Sequence, residues 1–381
     1  MDERAPRLDR AAAERRRAPF DLQGISWPRL KELVTMDEPF RRFAPEGVWA
    51  RDPRDLGVAL YNERRARRPH DYHSPGDSDS AAAGSAPEAP AAAAPCPICS
   101  GKTTPIVDIA ELSDGFTFIN TNLYPIVAPA PAPSRASTAA APAGPEEHSG
   151  EILGAHFLQW TSSHHDVDWP ELGSPDRGAV MGRLALLERA LLSLEPFDDG
   201  REGRFVSIIK NVGKSVGGSL SHGHQQIALS NVMPKGVRDN LAFLESRGET
   251  FSRYLHRENP DELTVAELDH GKLIVPYFMR RPYDMLFLMS DPAPSFLHEL
   301  APGRLQALGD ALALGMTLMR SILLSLEREI AYNVLAHTGP GAGIYLEFLP
   351  WTQENGGYEQ LGLSACQSLP QEAARVLREA V

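Results

Sequence analysis

The sequence predicts an α+β fold made of two copies of one unit, fused into a pseudo-dimer with antiparallel sheets and flanking long helices. Three observations carry this expectation. Strand-like runs alternate with two long helical patterns. The order strand, Pro-Glu-Leu or His-Glu-Leu, long helix, asparagine-bearing strand, glycine-rich turn and final strand occurs twice, once around Asn211 and once around Asn333. Two further segments, 74–95 and 128–150, are almost wholly Ala, Pro, Ser and Gly. They lack the apolar side chains that offset the cost of ordering a backbone, so they read as flexible insertions.

The expected organisation is an N-terminal extension (1–48), a first unit (49–240) interrupted by both insertions, and a second, degenerate unit (241–381). Between the insertions, Phe116-Thr-Phe-Ile119 is strand-like. Further strands are expected at 155–160, 204–210, 226–231, 272–277, 284–290, 332–337 and 343–349, each bounded by turn residues. Helices are expected at 177–194 and 302–330. In the second, Leu305, Leu308, Leu312, Met316, Met319 and Leu323 recur at steps of three and four, the spacing of a core-facing stripe.

Composition narrows the function classes. A chain of 381 residues with 42% hydrophobic content can bury one large core or two medium ones. A net charge of −12 gives no overall field toward nucleic acid or an anionic membrane. The basic N-terminus has no apolar core of a secretory signal, and the longest apolar stretch, 311–319, is short of the ~18 residues a membrane span needs. A cytoplasmic protein with neither nucleic-acid nor membrane partners is the expectation. Three cysteines are too few for a disulfide framework, and the close pair Cys96-Pro-Ile-Cys99 points to metal or redox chemistry.

The most informative stretch is Asn211-Val-Gly-Lys-Ser-Val-Gly-Gly-Ser-Leu-Ser-His-Gly-His-Gln-Gln226. Its glycines, Gly217 among them, allow close backbone approach to a phosphate, and Ser219 offers a hydroxyl donor. His222 and His224, spaced i, i+2, fall on one side of an extended segment. Gly-Lys-Ser at 213–215 is not a P-loop, because Ile208 stands where its first glycine belongs.

This segment resembles the active-site motif of galactose-1-phosphate uridylyltransferases and ADP-sugar phosphorylases, in the histidine-triad superfamily. With Gly rather than Pro between the histidines, it is somewhat closer to the phosphorylase-like branch. The resemblance implies two histidine-triad-like units forming a half-barrel pseudo-dimer, with His224 as nucleophile and Gln226 in place of the third histidine of hydrolytic relatives. An amide can hold a phosphoryl oxygen but cannot protonate a poor leaving group, which favours transfer or phosphorolysis over hydrolysis.

The same resemblance implies a structural zinc site, with Cys96 and Cys99 joined by His165 of the segment Ser162-Ser-His-His-Asp-Val-Asp-Trp-Pro-Glu-Leu172 and by His222; His164 is the rival ligand. It also implies substrate contacts from Arg65 and Arg68 in Arg-Ala-Arg-Arg-Pro, from Asn122 in Asn-Leu-Tyr-Pro, from Asn211 and Gly217, and from Tyr358 and Glu359 near the C-terminus. Leu123 replaces an acidic residue common in uridylyltransferases, which leaves the base open. Tyr345 and Glu347 replace two histidines, so no iron site is expected. The substrates implied are nucleotide-sugars and sugar phosphates, in a chain that can form a homodimer. The rival functions are phosphorolysis of a nucleotide-sugar or dinucleoside polyphosphate and, from another class, nucleotide binding without turnover. A zinc-ribbon nucleic-acid binder lacks both the second CxxC and the basic surface.

Overall fold

The computed structural model describes residues 6–36, 43, 45, 47–61, 96–129, 148–196 and 203–381. Its strands are β1 (Val48–Arg51), β2 (Val58–Tyr61), β3 (Ile106–Glu111), β4 (Phe116–Thr121), β5 (Ser149–Glu151), β6 (Gly154–Trp160) and β7 (Phe205–Val212). They continue as β8 (His224–Ser230), β9 (Thr264–Leu268), β10 (Gly271–Ile274), β11 (Met285–Met289), β12 (Tyr332–His337) and β13 (Tyr345–Pro350). The helices are α1 (Arg10–Glu14), α2 (Trp27–Met36), α3 (Ser174–Leu192), α4 (Lys235–Arg247), α5 (Phe251–Glu258), α6 (Pro302–Ser325), α7 (Gly357–Gln360) and α8 (Pro370–Glu379).

Among the described residues, ten strands form one antiparallel sheet in the order β3-β4-β6-β8-β7-β12-β13-β11-β10-β9. Taken inward from each edge, the two halves have the same plan: β3-β4-β6-β8-β7 and β9-β10-β11-β13-β12. The long helix α3 joins β6 to β7, and α6 joins β11 to β12. The α+β class is therefore observed, with the repeated order of elements written into the sheet. The halves meet at β7 and β12, where Asn211 lies in register with Asn333.

One sheet face is covered by α3 and α6, which pack against each other. Leu187, Leu191, Ile227, Phe287, Leu308, Met316, Met319 and Phe348 are fully buried there. Each such side chain contributes ~1.5–3 kcal/mol by leaving water. By length and composition α6 could cross a membrane, but two-thirds of its apolar window is buried inside the fold. It ends at Ser325 rather than at 330 because the buried stripe stops at Leu323: residues 324–330 are exposed, and Glu327 adopts a left-handed φ of 52°.

Three expectations need correction. The ends of the second expected insertion are ordered parts of the fold. Ala128 is buried, and Ser149–Glu151 pairs with β1; the rest of that insertion and all of 74–95 lie outside the described residues. The N-terminal extension is built into the first half. Leu8 and Ala13 are buried beside Phe118 and Trp160, the Leu8 amide donates to the Ser163 carbonyl at 2.8 Å, and the Ile106 amide donates to the Arg16 carbonyl at 2.8 Å. Finally, α1, α2, α4, α5, α7, α8, β1, β2, β3 and β9 were not expected at all.

Candidate active site

Strand β8 begins at His224, and its alternation sends Ile227 and Leu229 into the core while His224 and Gln226 line a pocket on the other face. The loop leading into β8 has a fixed shape. Gly213 has φ 91° and Gly217 φ 87°, and a Cβ on Gly213 would stand 2.7 Å from the Ile330 carbonyl oxygen. Only glycine fits both the conformation and the space at Gly213.

His224 is 7% exposed. Its Nδ1 lies 2.8 Å from the carbonyl oxygen of His222. A carbonyl only accepts, so Nδ1 carries the proton and Nε2 keeps a free lone pair. The ring lies against Trp160, with centroids 4.8 Å apart. Trp160 is itself locked, its indole N–H donating to Asn120 Oδ1 at 2.8 Å while Asn120 Nδ2 donates to Thr103 and Thr104 hydroxyls at 2.7 and 2.8 Å. Burial lowers the His224 pKa to about 4, and the nearby Lys210 charge acts in the same direction. The imidazole is thus neutral near pH 7.

The pocket measures about 310 Å³ and brings together His224, Gln226, Ser219 and Asn122 with Trp160 and Leu158. Asn122 is held by His156, 3.2 Å from its Nδ2, and accepts the Tyr124 amide at 2.9 Å. Among the wall residues that sequence reasoning missed are two basic ones, Arg16 of the N-terminal segment and Lys102 of the cysteine loop. A basic residue next to a pocket formed by distant segments leaves no local signature.

Next to the pocket, Cys96, Cys99, His165 and His222 place their ligand atoms within 4.8 Å of one another. The sulfur-to-Nδ1 separations are 3.8 Å for Cys96–His222, 3.7 Å for Cys99–His165 and 3.6 Å for Cys99–His222. Bonds of ~2.3 Å to sulfur and ~2.05 Å to nitrogen at the tetrahedral angle require about 3.6 Å, so the set fits a zinc ion. Outer contacts orient the rings: His222 Nε2 is 2.9 Å from the Ser162 carbonyl oxygen, and His165 Nε2 is 3.2 Å from Ser221 Oγ. Burial and the neighbouring Cys96 push the Cys99 thiol up to about 12, a penalty that a bound cation removes. His164 turns away, its Nε2 lying 3.3 Å from Asp114.

Other expected contacts are dispersed. Arg65 and Arg68 lie outside the described residues. Asn211 accepts from Asn333 Nδ2 at 2.7 Å and lines, with Asp168 and Lys210, an adjoining cavity of about 230 Å³ that also reaches His224, while it is not a wall of the 310 Å³ pocket. Gly217 shapes the loop and is not a wall of the pocket. Tyr358 is 67% exposed on α7, and the Glu359 carboxylate accepts the Gly356 and Ala365 amides at 2.7 and 2.9 Å. Neither lines the pocket of its own chain. In the second half, Tyr345 stacks on His337 at 4.2 Å, and Glu347 meets His337 at 3.0 Å and Arg280 at 2.8 Å.

A buried histidine facing a pocket beside a Cys2His2 cluster, on one half of a duplicated antiparallel sheet, is the arrangement that the resemblance of residues 211–226 implied. No protein-family model matches the chain. It is 25% identical over 186 residues to an ADP-glucose phosphorylase of Arabidopsis thaliana, covering 46% of this chain and 52% of that protein. It is 31% identical over 87 residues to a galactose-1-phosphate uridylyltransferase of Thermotoga maritima, covering 22% and 27%. The chain thus spans about half the length, or less, of the curated relatives it matches. Its fold is that of a solved uridylyltransferase, with a TM-score of 0.62 at 18% identity over 87% of this chain and 98% of the other. The homologues and structural neighbours are therefore the uridylyltransferase-like and ADP-sugar-phosphorylase-like proteins that the 211–226 motif resembles.

Proposed function

We propose that the protein moves a nucleoside monophosphate from a nucleoside diphosphate sugar to a second phosphate, carrying it on His224. Nε2 attacks the α-phosphorus; the P–O bond to the sugar phosphate breaks, and sugar 1-phosphate leaves with the bonding electrons. In the second half-reaction an acceptor phosphate oxygen attacks the same phosphorus, the P–N bond breaks, and neutral imidazole is restored. Gln226 and Ser219 line the same pocket as His224 and are suited to hold the phosphoryl oxygens. Asn122, Arg16 and Lys102 are assigned to the nucleoside end. The observation that carries this reading is the neutral, oriented His224 with Nε2 available at a pocket wall.

Cys96, Cys99, His165 and His222 would hold a zinc ion whose chemistry is structural: four protein ligands close its coordination shell. They would brace the loop two residues from His224.

Two acceptors fit this chemistry. A sugar 1-phosphate gives a transferase, the leading reading. Inorganic phosphate gives a phosphorylase, a reading favoured by the likeness to an ADP-glucose phosphorylase. The test is intact-mass analysis after mixing with UDP- and ADP-sugars, followed by addition of phosphate or sugar 1-phosphate. A nucleotide-sized mass increment that either acceptor discharges is expected, and the increment identifies the base. Turnover proceeding equally well in His224→Ala would end the reading.

A further inference from the structure

Two charged side chains of the first half take no part in the steps above. Lys210 lies on β7 on the helix-facing side, beyond Val206 and Ile208 of the core, and is 3% exposed. An ammonium there requires partners. Its Nζ lies 2.8 and 3.0 Å from the two carboxylate oxygens of Asp168 and donates to the backbone carbonyl of His224 at 3.1 Å. The β7–β8 register ends at Ile209↔Gln226, so the His224 carbonyl lies past the last paired residues.

Asp168 is itself held firmly. It accepts the Trp169 amide at 2.9 Å, and its own amide donates at 3.0 Å to Glu171. Glu171 pairs in turn with Arg320 of α6 at 2.7 Å. The residue between the two histidines belongs to the same arrangement. A Cβ on Gly223 would stand 2.6 Å from the Asp168 carboxyl carbon. Glycine at 223 is what leaves room for the carboxylate.

We propose that Lys210, anchored by Asp168, is a positioning residue for His224. It clamps the backbone of the nucleophile while the Nδ1 bond to the His222 carbonyl sets the ring. The inference rests on His224 acting as nucleophile.

The test separates positioning from ordinary stabilisation. Lys210→Met alone would strand a buried carboxylate and harm the fold under either view. Asp168→Asn combined with Lys210→Met leaves no unpaired charge, and the asparagine still accepts the Trp169 amide. A pair that serves only stability would leave this double variant turning over like the parent. Positioning predicts parental zinc content and KM with formation of the nucleotidyl adduct slowed ~10–100-fold, the scale for a slightly misplaced reacting group. Gly223→Ala displaces the carboxylate while keeping both charges, and should slow adduct formation in the same way at unchanged KM; it decides the matter if the double variant does not fold. Parental rates in either folded variant overturn the proposal. Absence of any adduct in the parent protein is a different result: it removes the nucleophile reading, and the clamp with it.

Discussion

Removing the ion from the Cys2His2 cluster is predicted to lower stability measurably, and the ligand geometry sets the expectation. The observed sulfur–nitrogen separations of 3.6–3.8 Å differ by about 0.2 Å or less from the ~3.6 Å that zinc requires. Little binding energy is then spent on rearranging the site, and most of it adds to folding stability. With free zinc at a hundred times its dissociation constant, the gain is ~2.7 kcal/mol. In a chain of 381 residues, with an unfolding entropy of ~0.8 kcal/mol/K, that is a Tm difference of about 3 °C. The assay is a thermal melt with and without a chelator, alongside metal analysis of the parent, Cys99→Ser, His165→Ala and His164→Ala proteins. One zinc per chain is expected in the parent and in His164→Ala, whose ring faces Asp114, with loss in the other two. Retention of zinc by His165→Ala with loss in His164→Ala, or a melt indifferent to chelation, would refute the assignment.

Three further outcomes follow from the same structure. His224 has a pKa lowered to about 4 by burial, so adduct formation should hold steady from pH 8 down to about 5.5 and fall only as pH approaches 4; a limb near 6.5 would contradict a buried neutral imidazole. Burial raises Asp284 from 3.8 to about 7, a preference of the folded state for the protonated acid of about 4 kcal/mol at ~1.36 kcal/mol per tenfold. That stabilisation is complete below about pH 4 and lost as pH rises to about 7, so Asp284→Asn should raise Tm more at pH 8 than at pH 5, and a pH-independent difference would be contrary. Arg16→Ala and Lys102→Ala should each raise KM for the nucleotide substrate about three- to tenfold, the scale of a partly exposed charged contact, with kcat retained. Unchanged KM in both would contradict their assignment to the nucleoside end.

Much of the site was legible because its chemistry is local. Residues 211–226 form the end of one strand, one loop and one strand start, so Ser219, His224 and Gln226 map onto the pocket and His222 onto the cluster, while Gly213 and Gly217 shape the loop. The duplicated topology was also readable, since each long helix sits between the same kinds of strand. Boundaries failed where tertiary burial decided them. Helix α6 stops with its buried stripe, and Ser149–Glu151 becomes a strand only because β1 lies beside it. The N-terminal segment looked like an appendage because its polar composition hides two buried anchors, Leu8 and Ala13. The choice between His164 and His165 depended on loop geometry that adjacency in sequence does not encode. Lys210 did leave a signal: a lysine continuing the core face of an apolar strand needs a buried counter-charge, although nothing in the sequence names Asp168 as that partner.

The proposed function requires a covalent bond between phosphorus and Nε2 of His224. Brief reaction with a nucleotide-sugar, an alkaline quench that preserves a phosphoramidate, and peptide mapping by mass spectrometry would detect that bond. The expected result is one acid-labile nucleotidyl group on the peptide containing His224, discharged when the acceptor phosphate is added. Product formation with that peptide never modified, or a label on another side chain, would contradict it.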